Sequence, residues 1–226
     1  MDIVWDGITR TETLSEDAAR IRHALADAAK LCHWPRILEL ICRNRELVNT
    51  SRPDGSSLNA PLHQAAAGGA PVEVVQELIG MLAWRTLQNA RGERPVDVAE
   101  RLGHRHLLGL LTPEYKRHVP MGVLLKMQAH FHAVIRDRAE ALVLEHSLRL
   151  PELEPLLELD EPHIWFEVPG MRGGFSYRLQ AAGVEALLVC EGWSRVVGGS
   201  GERHEITSDG TRQVEEVSVD RWRSLR

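Results

Sequence analysis

Residues Ala60 to Gly69 read APLHQAAAGG, and this stretch decides the fold. Proline suits the first position of a helix, where its missing N–H would have no partner within the helix. The alanines behind it let a second helix approach closely, and glycine ends the helix because it accepts a left-handed backbone without steric cost. Further on, Val74, Val75, Leu78 and Ile79 give the three-and-four spacing of a second helix with one apolar face. One such pair cannot cover that face alone, so copies are expected on either side.

Both copies are present. Upstream, Ser15 followed by Glu16 and Asp17 marks a helix start, with a side-chain cap and acidic residues in the first turn. Ala28, Ala29 and Cys32 then precede Ile37, Leu38, Leu40 and Ile41, and Asn49 closes the copy. Downstream, NARGERPVDVAERLGHRHLLGLL from Asn89 to Leu111 puts Pro95, Asp97, Ala99 and Gly103 in the corresponding slots. The central alanines, Ala28, Ala65 and Ala99, follow one another at 37 and 34 residues, the period of a stack of helix pairs.

Pro61, Leu62, His63, Ala65, Ala66 and Gly69 stand where TPLHxAAxxG, the pattern of the ankyrin repeat, has its fixed residues. Residues 22–112 therefore resemble about three ankyrin repeats. The departures are Ala60 and Arg94 for the helix-start threonine, Cys32 for glycine in the first copy, and finger loops longer before Pro61 and shorter before Pro95 than is usual in that family. The resemblance implies an α-solenoid that binds other proteins through its hairpin fingers and concave face. In this chain those places are Arg52, Asp54, Ser56, Asn59, Trp84, Arg91, Glu93 and Arg94. Trp84 reads either as an interface anchor or as a residue packed on a neighbouring helix. His63 is implied to hydrogen-bond backbone between repeats. Chains joining such repeats to a small domain include bacterial immunity proteins that neutralise a toxin, and the likeness here is one of architecture.

The rest of the chain is organised differently. Residues 1–21 form a lead that ends in the first helix start. Residues 113–150 are expected to hold one long amphipathic helix from Met121 that caps the stack. PELEPLLELDEP, residues 151–162, is proline-broken and acidic and reads as a linker. From His163 the alternation of HIWFEV, FSYRL, VEALLVC, ERHEIT and RQVEEV, punctuated by glycine turns, predicts an antiparallel meander of four or five strands over 163–226. The expected class is α+β, a short ankyrin-like α-solenoid followed by a long helix and a small antiparallel β domain.

Composition narrows the function classes. The chain has 226 residues, 43% of them hydrophobic and 26% charged, with a formal charge of −5. That is the composition of a soluble globular protein and argues against a general nucleic-acid binder. The N-terminus MDIVWDGITRTETL lacks the basic start and apolar core of a signal peptide, and no apolar run spans a membrane. A cytoplasmic protein is expected. Cys32, Cys42 and Cys190 are an odd count without framework spacing, which points to free thiols. Cys32, His33 and Cys42, the pair His104 and His106, and the pair His130 and His132 lack tetrahedral-site spacing, so neither a metal nor a cofactor is expected.

One place hints at chemistry. The run Gly198–Gly201 followed by Arg203, His204 and Glu205 could present N–H groups and cations to a phosphate, while a hairpin turn explains the glycines without chemistry. Cys190 and Ser194 sit in no nucleophile motif. Arg172 and Arg178 near the first hairpin could read an acidic surface on a partner. The expected function is that of a non-catalytic interaction protein binding a protein partner through the repeats and the sheet. The alternative is a small enzyme or phosphate- or nucleotide-binding C-terminal domain addressed by the repeats. Self-association through a sheet edge is a further expectation.

Overall fold

The computed structural model describes residues 3–194 and 201–217. The chain divides into two compact units, one from Ile8 to Glu114 and the other from Tyr115 onward together with the N-terminal residues through Gly7. Among the described residues they hold seven α-helices and a six-stranded mixed sheet, an α+β protein.

The first unit is helical: α1 (Glu16–Lys30), α2 (Trp34–Arg43), α3 (Pro61–Ala67), α4 (Val72–Gly80), α5 (Pro95–Arg101) and α6 (Leu108–Leu111). Ser15 caps α1, its hydroxyl accepting the Ala18 N–H at 3.3 Å, and Pro61 and Pro95 each open a helix. α1 packs on α2 and α3 on α4, while α1, α3 and α5 follow one another as neighbours. The turn that closes the first helix of each pair is the same. The carbonyls of Ala28, Ala65 and Ala99 accept the N–H groups of His33, Ala70 and His104 at 2.9, 3.0 and 2.9 Å. At the bend, Cys32, Gly69 and Gly103 have φ of 52°, 58° and 79°. This bond, from the residue after a left-handed position back to the helix, is the Schellman closure. The sequence period is thus the period of one hydrogen-bonded turn, with fully buried Ala65 and Ala99 packed among Ile37, Leu62 and Leu78.

Histidines tie one pair to the next. His63 is fully buried; its Nδ1 accepts the Ala60 N–H and its Nε2 donates to the Glu93 carbonyl at 3.0 Å, which fixes the neutral tautomer. The Nε2 atoms of His104 and His106 lie 3.1 and 3.2 Å from the carbonyls of Ala67 and Ala70.

The second unit holds β1 (Val4–Trp5), α7 (Met121–Glu145), β2 (His163–Val168), β3 (Gly173–Ala181), β4 (Leu187–Ser194), β5 (Gly201–Ile206) and β6 (Thr211–Val217). The strands lie in sequence order; β1 runs parallel to β2 and every later pair is antiparallel. The N-terminal lead therefore needs correction, because Val4 and Trp5 supply an edge strand. A strand of two residues is too short to show alternation, and it is held by specific bonds instead: the Trp5 indole N–H donates to the Arg149 carbonyl at 3.0 Å, and the Arg149 guanidinium lies 5.2 Å from the indole ring centroid.

α7 buries Leu124, Met127, Phe131, Ile135 and Val143 along one stripe, and Phe131 meets Tyr177 of β3 with ring centroids 4.8 Å apart. The apolar face expected to cap the helix pairs is thus used by the sheet. Ala139 breaks helical geometry with φ −140° and ψ 19°.

Residues 151–162 are a correction too. They fold into the sheet unit, with Leu153, Leu156 and Leu157 at most 2% exposed. The leucines bury while the acids find partners: the Tyr115 hydroxyl donates to Glu154 at 2.6 Å, and Lys116 and Arg149 pair with Asp160 and Glu152. Carbonyls of the segment are satisfied by Arg117 and by His132, whose Nε2 lies 2.7 Å from Pro151 O.

The β2–β3 turn needs Gly170 (φ 80°) and bends again at Arg172 (φ 49°). A side chain at Gly174 would meet the Phe166 carbonyl at 2.1 Å, so glycine is required by the closeness of the neighbouring strand. Gly198 to Ser200 and the basic C-terminal run 221–226 lie outside the described residues; Gly201 opens β5.

Candidate functional site

α1, the loop from Thr50 to Asn59 and the first turn of α3 enclose a cleft of about 320 Å³ in the helical unit. Its charged lining is Arg22, Asp27, Lys30 and Arg52, and Asn59 and Gln64 add side-chain amides. Each position follows from local structure. Arg22 lies in the buried stripe of α1 with Ala19, Leu25 and Ala28, and is 9% exposed. Asp27 and Lys30 occupy the last turn of the same helix, and Gln64 the first turn of α3. The loop is set by left-handed Asp54 and Leu58 and by the Asp54 N–H, which donates to Thr9 O at 2.7 Å.

The loop residues form two connected groups. In the first, Arg52 donates to Asp27 at 2.5 Å, and this bond holds the Asp27 carboxyl below the usual carboxylate range. Asp54 accepts the Thr11 N–H at 3.3 Å, and its carboxyl is lowered chiefly by the Thr11 side chain and then by this backbone bond. The second group is built on Asn89, whose amide donates to Asn59 and to Glu93, each at 3.1 Å, and whose Oδ1 accepts the N–H groups of Arg91 and Glu93. Glu93 also receives Arg101 at 2.6 Å, the main reason that its carboxyl titrates low. The Ala90 N–H donates to Ser57 O at 2.9 Å and joins the two finger loops. Arg94 closes the α5 start, its N–H donating to Asp97 at 2.8 Å.

Ser56 and Arg91 are exposed, as are Arg52 and Asp54, whereas Asn59, Glu93 and Arg94 are half-buried. Trp84 is a correction. It is 3% exposed, its backbone N–H donates to Asn49 Oδ1 at 2.9 Å, and it belongs to the core. The left-handed bend at Leu82 (φ 69°) turns Leu82 out to 53% exposure and the indole inward. Arg172 and Arg178 are exposed on the sheet unit, the first in the β2–β3 turn and the second opposite His163.

Arg22, Lys30 and Gln64 escaped the sequence reading, which followed loops and took the helix stripes as apolar. Arg22 carried a signal, since an arginine three residues after Ala19 and three before Leu25 interrupts the buried stripe of its helix.

In the sheet unit, Arg203, His204 and Glu205 do not converge. Alternation along β5 puts His204 on the α7 side, paired in register with Cys190, whereas Arg203 stands opposite Glu191 and Glu205 opposite Val189. Arg203 lies 3.8 Å from Glu191, and Glu205 pairs with Arg212. Glu202 takes Arg138 at 2.5 Å, and burial lowers the His204 imidazole. Cys190 is fully buried and burial pushes its thiol far up, which leaves it protonated and unreactive. The Ser194 hydroxyl donates to Met171 O at 3.0 Å. An exposed pair, His163 Nε2 and Ser176 Oγ, lies 2.7 Å apart on the face of the sheet.

Several of the candidate metal ligands make other contacts. The His33 Nδ1 accepts the Arg36 N–H at the start of α2, His104, His106 and His132 meet backbone carbonyls, and Cys42 Sγ lies 3.9 Å from Met81 Sδ. Among the described residues no helix is long and apolar enough to cross a membrane. No protein-family model and no curated protein sequence matches the chain.

Proposed function

We propose that the chain is a cytoplasmic, non-catalytic binding protein whose ankyrin-like helix pairs form a short solenoid and present their finger loops and cleft to a protein partner, in the manner of an inhibitor or immunity protein. The observation that carries this reading is the tie between the two finger loops, Ala90 N–H to Ser57 O at 2.9 Å with Asn89 to Asn59 beside it. It holds exposed Ser56 and Arg91 on one braced surface, and a pre-ordered surface loses less freedom on binding. The alternative, phosphate or nucleotide binding on β5, is disfavoured by the opposite faces of Arg203 and His204.

The test is affinity capture from cell extract with the full chain, its S56R and R91E variants, and melting curves for all three. One stoichiometric protein retained by the parent and lost from both variants at unchanged melting temperature is expected. Equal capture by all three rules out the finger surface.

A further inference from the structure

We infer that the break of α7 at Ala139 is held by Arg138 on Glu202 of β5 and is released when His204 takes up a proton. The device belongs to the sheet unit and is independent of the partner-binding reading above.

Ala139 is buried and leaves helical geometry, with φ −140° and ψ 19°, inside a helix of 25 residues. Alanine is the best helix former, and neither proline nor glycine stands between Gly122 and the end of α7 at Glu145. The break therefore has a tertiary cause. Arg138, the residue just before it, supplies one. Its guanidinium donates to Glu202 Oε1 at 2.5 Å, with side chains 15% and 33% exposed. Glu202 stands in register with Gly192 of β4, where an added Cβ would lie 3.4 Å from Arg138 Cδ, so the bare strand lets the arginine stem lie flat. Charge-assisted bonds between partly buried groups are the strong class.

His204 stands two residues further along the same face of β5, and its Nε2 lies 4.0 Å from the other carboxylate oxygen, Glu202 Oε2. Its Nδ1 is buried and has no hydrogen-bond partner among the described residues. The charged groups that act on the imidazole are Asp137 and Arg138 of α7 and Glu202 of β5. Its register partners are Cys190 of β4 and Gln213 of β6, neither of them charged. Glu191 with Arg203, and Glu205 with Arg212, pair among themselves on the opposite face. A neutral His204 leaves Glu202 to Arg138, whereas an imidazolium sets a second cation beside one partly buried carboxylate. That cation attracts Oε2 and repels the guanidinium, and both effects loosen the tie. Ala139 then returns to the helical geometry that its residue type prefers. Burial is the main reason that this imidazole titrates low, so the release falls below the ordinary histidine value of about 6.5.

The experiment follows the ¹³Cα resonance of Ala139 and the ring resonances of His204 in the ¹³C,¹⁵N-labelled full chain as pH falls from 7. Ala133, which keeps helical geometry on the same helix, is the reference. At pH 7 Ala139 should lie upfield of Ala133, and on acidification it should move downfield toward it with the midpoint of the His204 ring. H204Q should hold Ala139 at its neutral position throughout. R138M, which keeps the stem and loses the cation, should give the downfield position at every pH. E202Q should do the same from the other side of the tie, and it decides the matter where R138M fails to fold. Titration of His204 with Ala139 stationary overturns the inference, as does equal movement in H204Q and the parent. So does an upfield Ala139 in folded R138M or in E202Q, or a His204 that stays neutral until the chain unfolds. Global unfolding does not mimic the release, because it moves Ala133 upfield together with Ala139.

Discussion

Cys32 and Gly69 hold the same left-handed backbone conformation at equivalent bends, with φ of 52° and 58°. The two positions should answer oppositely to substitution. A side chain at φ near +55° crowds the following carbonyl, whereas glycine does not, though it gives up more chain entropy on folding. Cys32→Gly should therefore stabilise the helical unit by about 0.5–1 kcal/mol. Gly69→Ala should destabilise it by about 2 kcal/mol or more, since it adds backbone strain and a Cβ only 2.6 Å from the His104 ring. Urea denaturation measures both, and a Cys32→Gly protein less stable than the parent would mean that the sulfur packed over Gly68 outweighs the strain.

Trp84 gives a second test, of stability rather than binding. A buried indole truncated to alanine loses its transfer energy and leaves a cavity, so Trp84→Ala should cost about 3–4 kcal/mol. Loss of partner capture by this variant should follow its fraction unfolded. Weaker capture at an unchanged melting temperature would restore Trp84 to the interface.

These two residues mark what was legible in the chain. The helix pairs were, because APLHQAAAGG and its neighbours repeat a capped start, small residues and a left-handed stop, each fixed by local chemistry. The strands β2 to β6 were readable from alternation, and their antiparallel pairing from the glycine turns. β1 was not, since Val4 and Trp5 acquire strand geometry only by pairing with Trp165 and Phe166, far away in sequence. The acidic segment misled for a related reason: charge suggests solvent, but Tyr115, Lys116 and Arg149 supply partners that lie outside it. Of the site, the loop residues were visible and the helix-borne Arg22, Lys30 and Gln64 were not, because their grouping depends on the α1–α3 packing.

Tyr177 predicts an unusual gain. Its hydroxyl is fully buried against α7 and has no hydrogen-bond partner among the described residues, and burial drives its ionisation well above the ordinary tyrosine value. A buried polar group without a partner costs about 1–3 kcal/mol, so Tyr177→Phe should raise the stability of the sheet unit by about 1 kcal/mol while keeping the ring contact with Phe131. Differential scanning calorimetry decides it, and a lower melting temperature would show that a buried water holds the hydroxyl.

Acid should act on the two units in different pH ranges. In the sheet unit burial lowers the imidazoles of His132 and His204, against the Pro151 carbonyl in the first case and Glu202 in the second. A histidine depressed in the folded state takes up its proton first in the unfolded chain. Stability is then fully present above the unfolded value of about 6.5 and is lost as pH falls from there through the folded value. In the helical unit the carboxylates Asp27, Glu39, Asp54 and Glu93 are lowered, each chiefly by a hydrogen-bond donor. Their contribution persists above unfolded values of about 4 and is lost only as pH falls further. Between pH 7 and 5, hydrogen-exchange protection factors, which remove the slowing of intrinsic exchange in acid, should therefore fall at core amides such as those of Tyr177 and Cys190. His132→Gln, which keeps an N–H donor for Pro151 without a titrating ring, should flatten the response of the sheet unit. An unchanged pH slope in that variant would remove His132 as its source.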